Sequence, residues 1–284
     1  MRDSLQQQKA DARGPDKGKQ TDAVPYDEKN FFESYYKATT RGPITDRDTI
    51  GAISQMEARF HYNAVENAIL RGLSRRTPPP PQAMVAAWEA LSSRHKLRLL
   101  DIGSGTGHWI EFMQTAAQVN DVVGVEIAES MYQCLKQNYE GSKRVRILNT
   151  DVADPGFGID NVGGTVDYIT AIGVMFHIVD DGRWRQALVN LAHLLNDDGL
   201  LIVGGDFGQR TANVQFHCVD SFHNWKEQIA VANGPCRINK RIRSLDDWTV
   251  AATSAGLKVV EVVRTERCER LTTPENDVLF LEKI

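Results

Sequence analysis

From about residue 97 onward, short apolar runs alternate with amphipathic segments. The runs near 97–102, 122–126, 145–149, 166–172, 199–205, 257–264 and 277–283 predict buried strands. Between them, the segments near 107–118, 129–138, 182–195, 219–232 and 245–255 bring apolar residues round at helical spacing. This alternation predicts an α/β fold, a doubly wound and mostly parallel sheet with helices on both faces. In such a sheet a ligand belongs at the carboxyl ends of the first strands, where the strand order reverses.

The chain before residue 97 reads differently. Residues 1–22 are rich in Gln, Lys, Asp and Gly and have little to bury, which predicts a disordered tail. Residues 23–96 read as a helical cap. Tyr26, Phe31, Phe32, Tyr35 and Tyr36 crowd together, a density that suits packing or one wall of a ligand site. Apolar residues at Ile50, Ile53, Met56, Phe60, Ala64, Ala68 and Leu70 predict one long helix over about 48–73, with Arg59, His61 and Tyr62 on its polar face. The prolines at 78–81 predict an extended spacer, and a second helix follows over about 82–93.

Composition removes several function classes. The chain has 284 residues, 42% of them hydrophobic, enough for one large domain with its own core. A net charge of −4 and a pI near 6.0 offer no basic field for a polyanion, so nucleic acid is not an expected partner. Cys134, Cys218, Cys236 and Cys268 are scattered without zinc spacing, which predicts reduced thiols and no metal site. No apolar run reaches the length of a membrane span, and the expected setting is cytoplasmic.

The most informative stretch is Leu99-Leu100-Asp101-Ile102-Gly103-Ser104-Gly105-Thr106-Gly107-His108-Trp109, a strand, a glycine loop and a helix start. Glycines here let the backbone turn tightly and approach a ligand. A dinucleotide fingerprint requires a further glycine where this chain has His108, which weakens a nicotinamide oxidoreductase reading. The next strand ends at Glu126, whose carboxylate can accept from two ribose hydroxyls. A third strand leads to Asp151, a residue that either meets a ligand or caps the turn before Pro155 and Gly156.

The pattern Asp101-x-Gly103-x-Gly105-x-Gly107, followed by Glu126 and Asp151, resembles the class I S-adenosylmethionine-dependent methyltransferases of small-molecule type. The resemblance implies a Rossmann-like, seven-stranded sheet with the last strand antiparallel, and a segment before the first strand that closes over the cofactor. It implies that S-adenosylmethionine is bound by Asp101, Gly103, Ser104, Gly105, Gly107, Glu126, Ile127, Asp151, Val152 and Ile172, and that S-adenosylhomocysteine is the product.

The acceptor side is less specific. The fourth strand delivers His177 beside the expected methyl group, as a base or as a packed structural histidine. A lid insertion over about 206–248 carries Asp206, a second catalytic candidate. Asp206 and Arg210 either hold the charged ends of an acceptor or pair with each other. Tyr35 and Tyr62 complete the candidate substrate set, while Arg237, Lys240, Arg241 and Arg243 read as a solvated charge run. The expected reaction is methyl transfer to a small metabolite, a hydroxyl before an amine or thioether. A non-catalytic cofactor-binding module is the alternative, and a homodimer is an open option.

Overall fold

The computed structural model describes residues 27–39, 43–50, 54–76, 96–204, 214–216, 240–265 and 277–284. In chain order its elements are α1 (Glu28–Thr39), α2 (Asp46–Ile50), α3 (Gln55–Arg76), β1 (Arg98–Ile102), α4 (His108–Ala116), β2 (Asp121–Glu126), α5 (Glu129–Asn138), β3 (Val145–Asn149), α6 (Ile159–Val162), β4 (Val166–Ile172), a single 3-10 turn (Met175–His177), α7 (Asp181–Leu194), β5 (Leu195–Gly204), β6 (Val214–Phe216), β7 (Lys240–Ile242), α8 (Leu245–Ser254), β8 (Leu257–Val263) and β9 (Val278–Lys283).

Seven strands form one sheet in the order β3-β2-β1-β4-β5-β9-β8. The pairs from β3 to β5 are parallel, and β9 runs antiparallel to both β5 and β8. The order reverses between β1 and β4, which fixes the ligand crevice at their carboxyl ends. Because both faces are covered, the strands are apolar on both sides. Leu100, Val123, Ile169 and Leu201 share a core with α7 and α8, where Trp184 and Trp248 meet edge to face at 4.9 Å. Leu99, Val122, Ile202 and Phe280 pack with α3 and α4 through Ile69, Ile110 and Met113. No helix of the described residues is long and apolar enough to cross a membrane.

The structure corrects the sequence reading in several places. The single helix over 48–73 is two helices, α2 and α3. Met56, Phe60 and Leu70, assigned to its inner face, are 70%, 50% and 41% exposed, while Tyr62, assigned to the polar face, is buried. The inner face is Ala58, Tyr62, Val65, Ala68, Ile69 and Leu73. Its rotation is set from outside the helix: the ring of Phe280 lies so close to Gly72 that a Cβ there would stand 2.1 Å from it.

Strand β5 begins at Leu195, not 199. Leu195 pairs with Val166, the register then shifts, and Leu200 pairs with Tyr168, so the polar Asn196-Asp197-Asp198 sits within an irregular strand. In the 206–248 insertion, β6 and β7 form a small antiparallel pair. Residues 245–248 belong to the core helix α8. The tail over 1–22, the proline spacer, the 82–93 and 219–232 helices and Cys218, Cys236 and Cys268 lie outside the described residues.

Candidate active site

The floor of the crevice is built by backbone. After Asp101, the chain turns at Gly103 with φ 66°, where a Cβ would stand 2.3 Å from Val174 Cγ2. The amides of Gly103 and Ser104 donate to the Val125 carbonyl at 2.8 and 3.1 Å, tying the loop to β2. Gly107, with φ 97°, opens α4, whose amino end faces the loop.

Glu126 closes this floor from the neighbouring strand. Its Oε2 accepts from the Gly105 amide at 3.2 Å and its Oε1 from the Ala128 amide at 3.1 Å. Burial raises its pKa, while the backbone donors of Ala128, Gly105 and Ile127 pull it back down. Each carboxylate oxygen keeps a second acceptor site, which suits a vicinal diol. Asn149 donates to the carbonyls of Glu126 and Ile127 at 2.9 and 3.2 Å and so fixes the turn that follows β2.

Asp101 is fully buried. Its Oδ1 accepts from Thr170 Oγ1 at 2.5 Å, and its Oδ2 has no hydrogen-bond partner. Burial pushes its pKa up to about 7; the hydroxyls of Thr170 and Ser104 oppose the rise and the charge of Glu126 adds to it. An orphaned carboxylate oxygen beside a glycine loop fits a cationic donor such as the ammonium of an amino-acid end.

At Ile127, the residue after Glu126, a cleft of about 670 Å³ opens between the first turns of α1 and α7, with Asn149 and Asp151 also in its wall. Asp151 both caps its turn and faces this cleft: Oδ1 accepts from the Ala153 amide at 2.8 Å and Oδ2 pairs with Arg183. Arg183 also pairs with the buried Glu28 of α1. Val152 and Ile172 are both buried, Val152 in the core shared with α7 and Ile172 in the core shared with α4.

The roof is the cap. Helix α1 packs Phe31, Tyr35 and Tyr36 on Ala128 and Met131, and its Glu33 accepts from the amide and hydroxyl of Ser130, both at 3.0 Å, capping α5. Tyr36 lies buried near Glu126, and burial pushes its pKa far up. Helix α2 sits on the glycine loop, with Asp46 accepting from Thr106 and Thr49 against Gly105.

Tyr35 and Tyr62 were expected to meet the acceptor, but their hydroxyls are engaged inside this cap. Tyr35 donates to the Asp48 carbonyl at 2.7 Å, and Tyr62 shares a hydrogen bond with Thr49 at 2.8 Å. His108 stacks on Tyr62 at 3.9 Å and its Nε2 meets Glu66 at 2.8 Å.

His177 is half-buried at the end of the turn after β4, with its ring 4.8 Å from Phe32 of α1 and 4.2 Å from Phe176. That turn is clamped by a residue misread as solvated. Arg243 is only 3% exposed, stacks on Trp184 at 4.2 Å, pairs with Asp181 and donates to the carbonyls of Ile178 and Val179. Its burial lowers its pKa to about 10 against the pull of Asp181. Arg241 pairs with the other oxygen of Asp181 at 2.9 Å. Asp206, Arg210 and Arg237 lie outside the described residues. Sequence reasoning missed Thr170, Glu28, Arg183 and the role of Arg243; only Thr170, one apolar-strand position facing Asp101 across a parallel pair, left a usable signal.

Residues 99–199 match the family model described as a methyltransferase domain. Among solved structures, an S-adenosylmethionine-dependent methyltransferase from Leishmania major is 13% identical, with 89% of this chain and 83% of that chain covered and a TM-score of 0.57. The CcbJ methyltransferase from Streptomyces caelestis is 17% identical, covers 91% and 99%, and has a TM-score of 0.53. The N-methyltransferase NodS from Bradyrhizobium japonicum, in complex with S-adenosylhomocysteine, is 13% identical, covers 90% and 98%, and also scores 0.53. At these identities the likeness to each is one of fold. No curated protein matches the chain.

Proposed function

We propose that this chain is a class I S-adenosylmethionine-dependent methyltransferase, with the methyltransferase-domain match at residues 99–199 as its catalytic core, and that it methylates a small-molecule acceptor, a hydroxyl by preference, in the cytoplasm. The observation that supports this cofactor site best is Glu126, whose two carboxylate oxygens are fixed by the Gly105 and Ala128 amides and still have room for two donors. When bound, the cofactor supplies a methyl carbon on a sulfonium, an electrophile that needs mainly alignment.

The residues then divide the work. Glu126 accepts from the ribose hydroxyls, and the orphaned oxygen of Asp101 accepts from the ammonium at the amino-acid end. Gly103, Ser104, Gly105 and Gly107 let the backbone approach. Ile127 and Asp151 serve the base side, while Val152 and Ile172, buried in the cores beneath, support the strand ends that carry the site. His177 takes the acceptor's proton on an imidazole nitrogen as attack proceeds, with Phe32 and Phe176 orienting the ring and excluding water. Asp206 and Arg210 are the proposed contacts for charged groups of the acceptor.

The test is a parallel calorimetric titration with S-adenosylmethionine, S-adenosylhomocysteine and the two nicotinamide dinucleotides. Micromolar binding of the first two alone is the expected result, and binding of a dinucleotide alone overturns the reading. A screen of hydroxyl, amine and thioether acceptors follows. With a hydroxyl acceptor, His177→Ala lowers turnover by about 10²-fold or more and leaves the affinity for S-adenosylhomocysteine within about twofold. An amine or thioether loses no proton before attack, so turnover that survives the substitution points to N- or S-methylation.

A further inference from the structure

We propose that Glu28 and Arg183 form a latch on the cofactor cleft: Arg183 holds the Asp151 carboxylate on the base side and, through Glu28, ties the first turn of α1 across the opening, so that this pair sets how fast cofactor and product exchange. The inference rests on the reading of this cleft as part of the S-adenosylmethionine site.

Three residues far apart in the chain meet here. Glu28 lies 155 positions before Arg183 and Asp151 lies 32 before it. All three line the same cleft. The guanidinium reaches Glu28 through Nη1 and Asp151 through Nη2, using its two ends on two carboxylates at once. A planar fork with fixed donors can do this, and a lysine ammonium has no equivalent geometry. The backbone also holds Arg183 in place, because its amide donates to the Asp180 carboxylate that caps α7.

The two ends of α1 are attached by different physics. From Phe31, at the end of its first turn, onward it is packed, through Phe31, Tyr35 and Tyr36 on Ala128 and Met131, with Glu33 bonded to the amino end of α5. Its first turn reaches the opposite wall of the cleft through Glu28. Lifting the packed half exposes apolar surface at roughly 25 cal/mol per Å². Lifting the first turn instead separates an ion pair whose attraction is largely offset by the desolvation of its members. Glu28 is 5% exposed, and burial raises its pKa in spite of Arg183, so its carboxylate regains hydration when the turn lifts. Arg183 is partly solvated and keeps Asp151 meanwhile. The first turn can therefore open and close while the rest of the cap stays docked, which is the behaviour of a hinged latch.

The experiment is stopped-flow binding of S-adenosylhomocysteine to the full chain and its variants, with melting temperature as the control for folding. Glu28→Gln is expected to speed association and dissociation together, each by about tenfold, with Kd within about threefold of the unaltered protein. Arg183→Lys is expected to keep Kd within about fivefold and to show the faster exchange. Arg183→Met is expected to weaken Kd by about tenfold or more, because Asp151 also loses its partner. A merely structural role would change Kd or melting temperature without this paired change in rates. If Glu28→Gln does not fold, Glu28→Asp supplies the same comparison. No binding by the unaltered protein overturns the site reading and the latch with it; binding with unchanged rates in Glu28→Gln, or with dissociation alone accelerated, overturns the latch only.

Discussion

The floor and the roof of the crevice are made in different ways. The floor consists of strand ends and a glycine loop, with its key contacts made by backbone amides on Glu126 and by positive-φ turns. The roof, α1 and α2, is held down by side chains: Glu33 on Ser130, Asp46 on Thr106, Thr49 on Tyr62 and Glu28 on Arg183. A floor of this kind cannot yield without breaking the sheet. A roof of this kind can move in parts, one tie at a time.

The sharpest way to break the comparison is at the floor. Gly105→Arg should abolish binding of S-adenosylhomocysteine, and Gly103→Ala should weaken it by more than 100-fold, since a left-handed backbone costs about 1–2 kcal/mol before the contact with Val174 is relieved. Full retention of affinity in Gly105→Arg would falsify the site assignment. Glu126→Ala comes next, with an expected loss of about 100-fold in affinity, the size of a charge-assisted pair of hydrogen bonds. Titration calorimetry reads all three.

Asp101 gives a smaller effect with a distinctive pH signature. Its folded pKa of about 7 exceeds its ordinary value of 3.8, so between those two pH values the native state holds a proton that the unfolded state has released. Stability therefore falls as pH rises through that window and levels off above about 7. Binding of an ammonium favours the ionised form, so affinity for S-adenosylhomocysteine should rise with pH up to about 7, with protons released. Asp101→Asn should remove the Asp101 part of both slopes, as seen by melting and by calorimetry in buffers of different ionisation enthalpy. The smallest change belongs to the roof. Tyr35→Phe removes one hydrogen bond to the Asp48 carbonyl, and should cost about 1 kcal/mol of stability while leaving affinity within about threefold.

The same contrast explains what the sequence disclosed. The floor was legible because its signals are local: glycines two residues apart, and carboxylates where apolar runs end. The reversed position of β9 came from the family resemblance, since nothing in its composition states which strands flank it. The roof was obscured because its determinants are distant. Phe280 rotates α3 from the far end of the chain, and the partners of Arg183 lie 32 and 155 positions away. Arg243 stands in a run of cations, and only the third dimension distinguishes it from Lys240 and Arg241, because Trp184, on which it is buried, comes from another segment.

The place of β9 has a consequence for biosynthesis. It is synthesised after both β5 and β8, yet it inserts between them and supplies both with their partner. Until it arrives, the nascent sheet carries an open edge at Leu201, Ile202 and Val203, all fully buried in the finished molecule. An apolar unpaired edge invites pairing with another chain. The protein is thus most exposed to misassembly in the interval between the synthesis of β5 and the arrival of β9, and crowded expression should reveal this as aggregation that slower translation relieves.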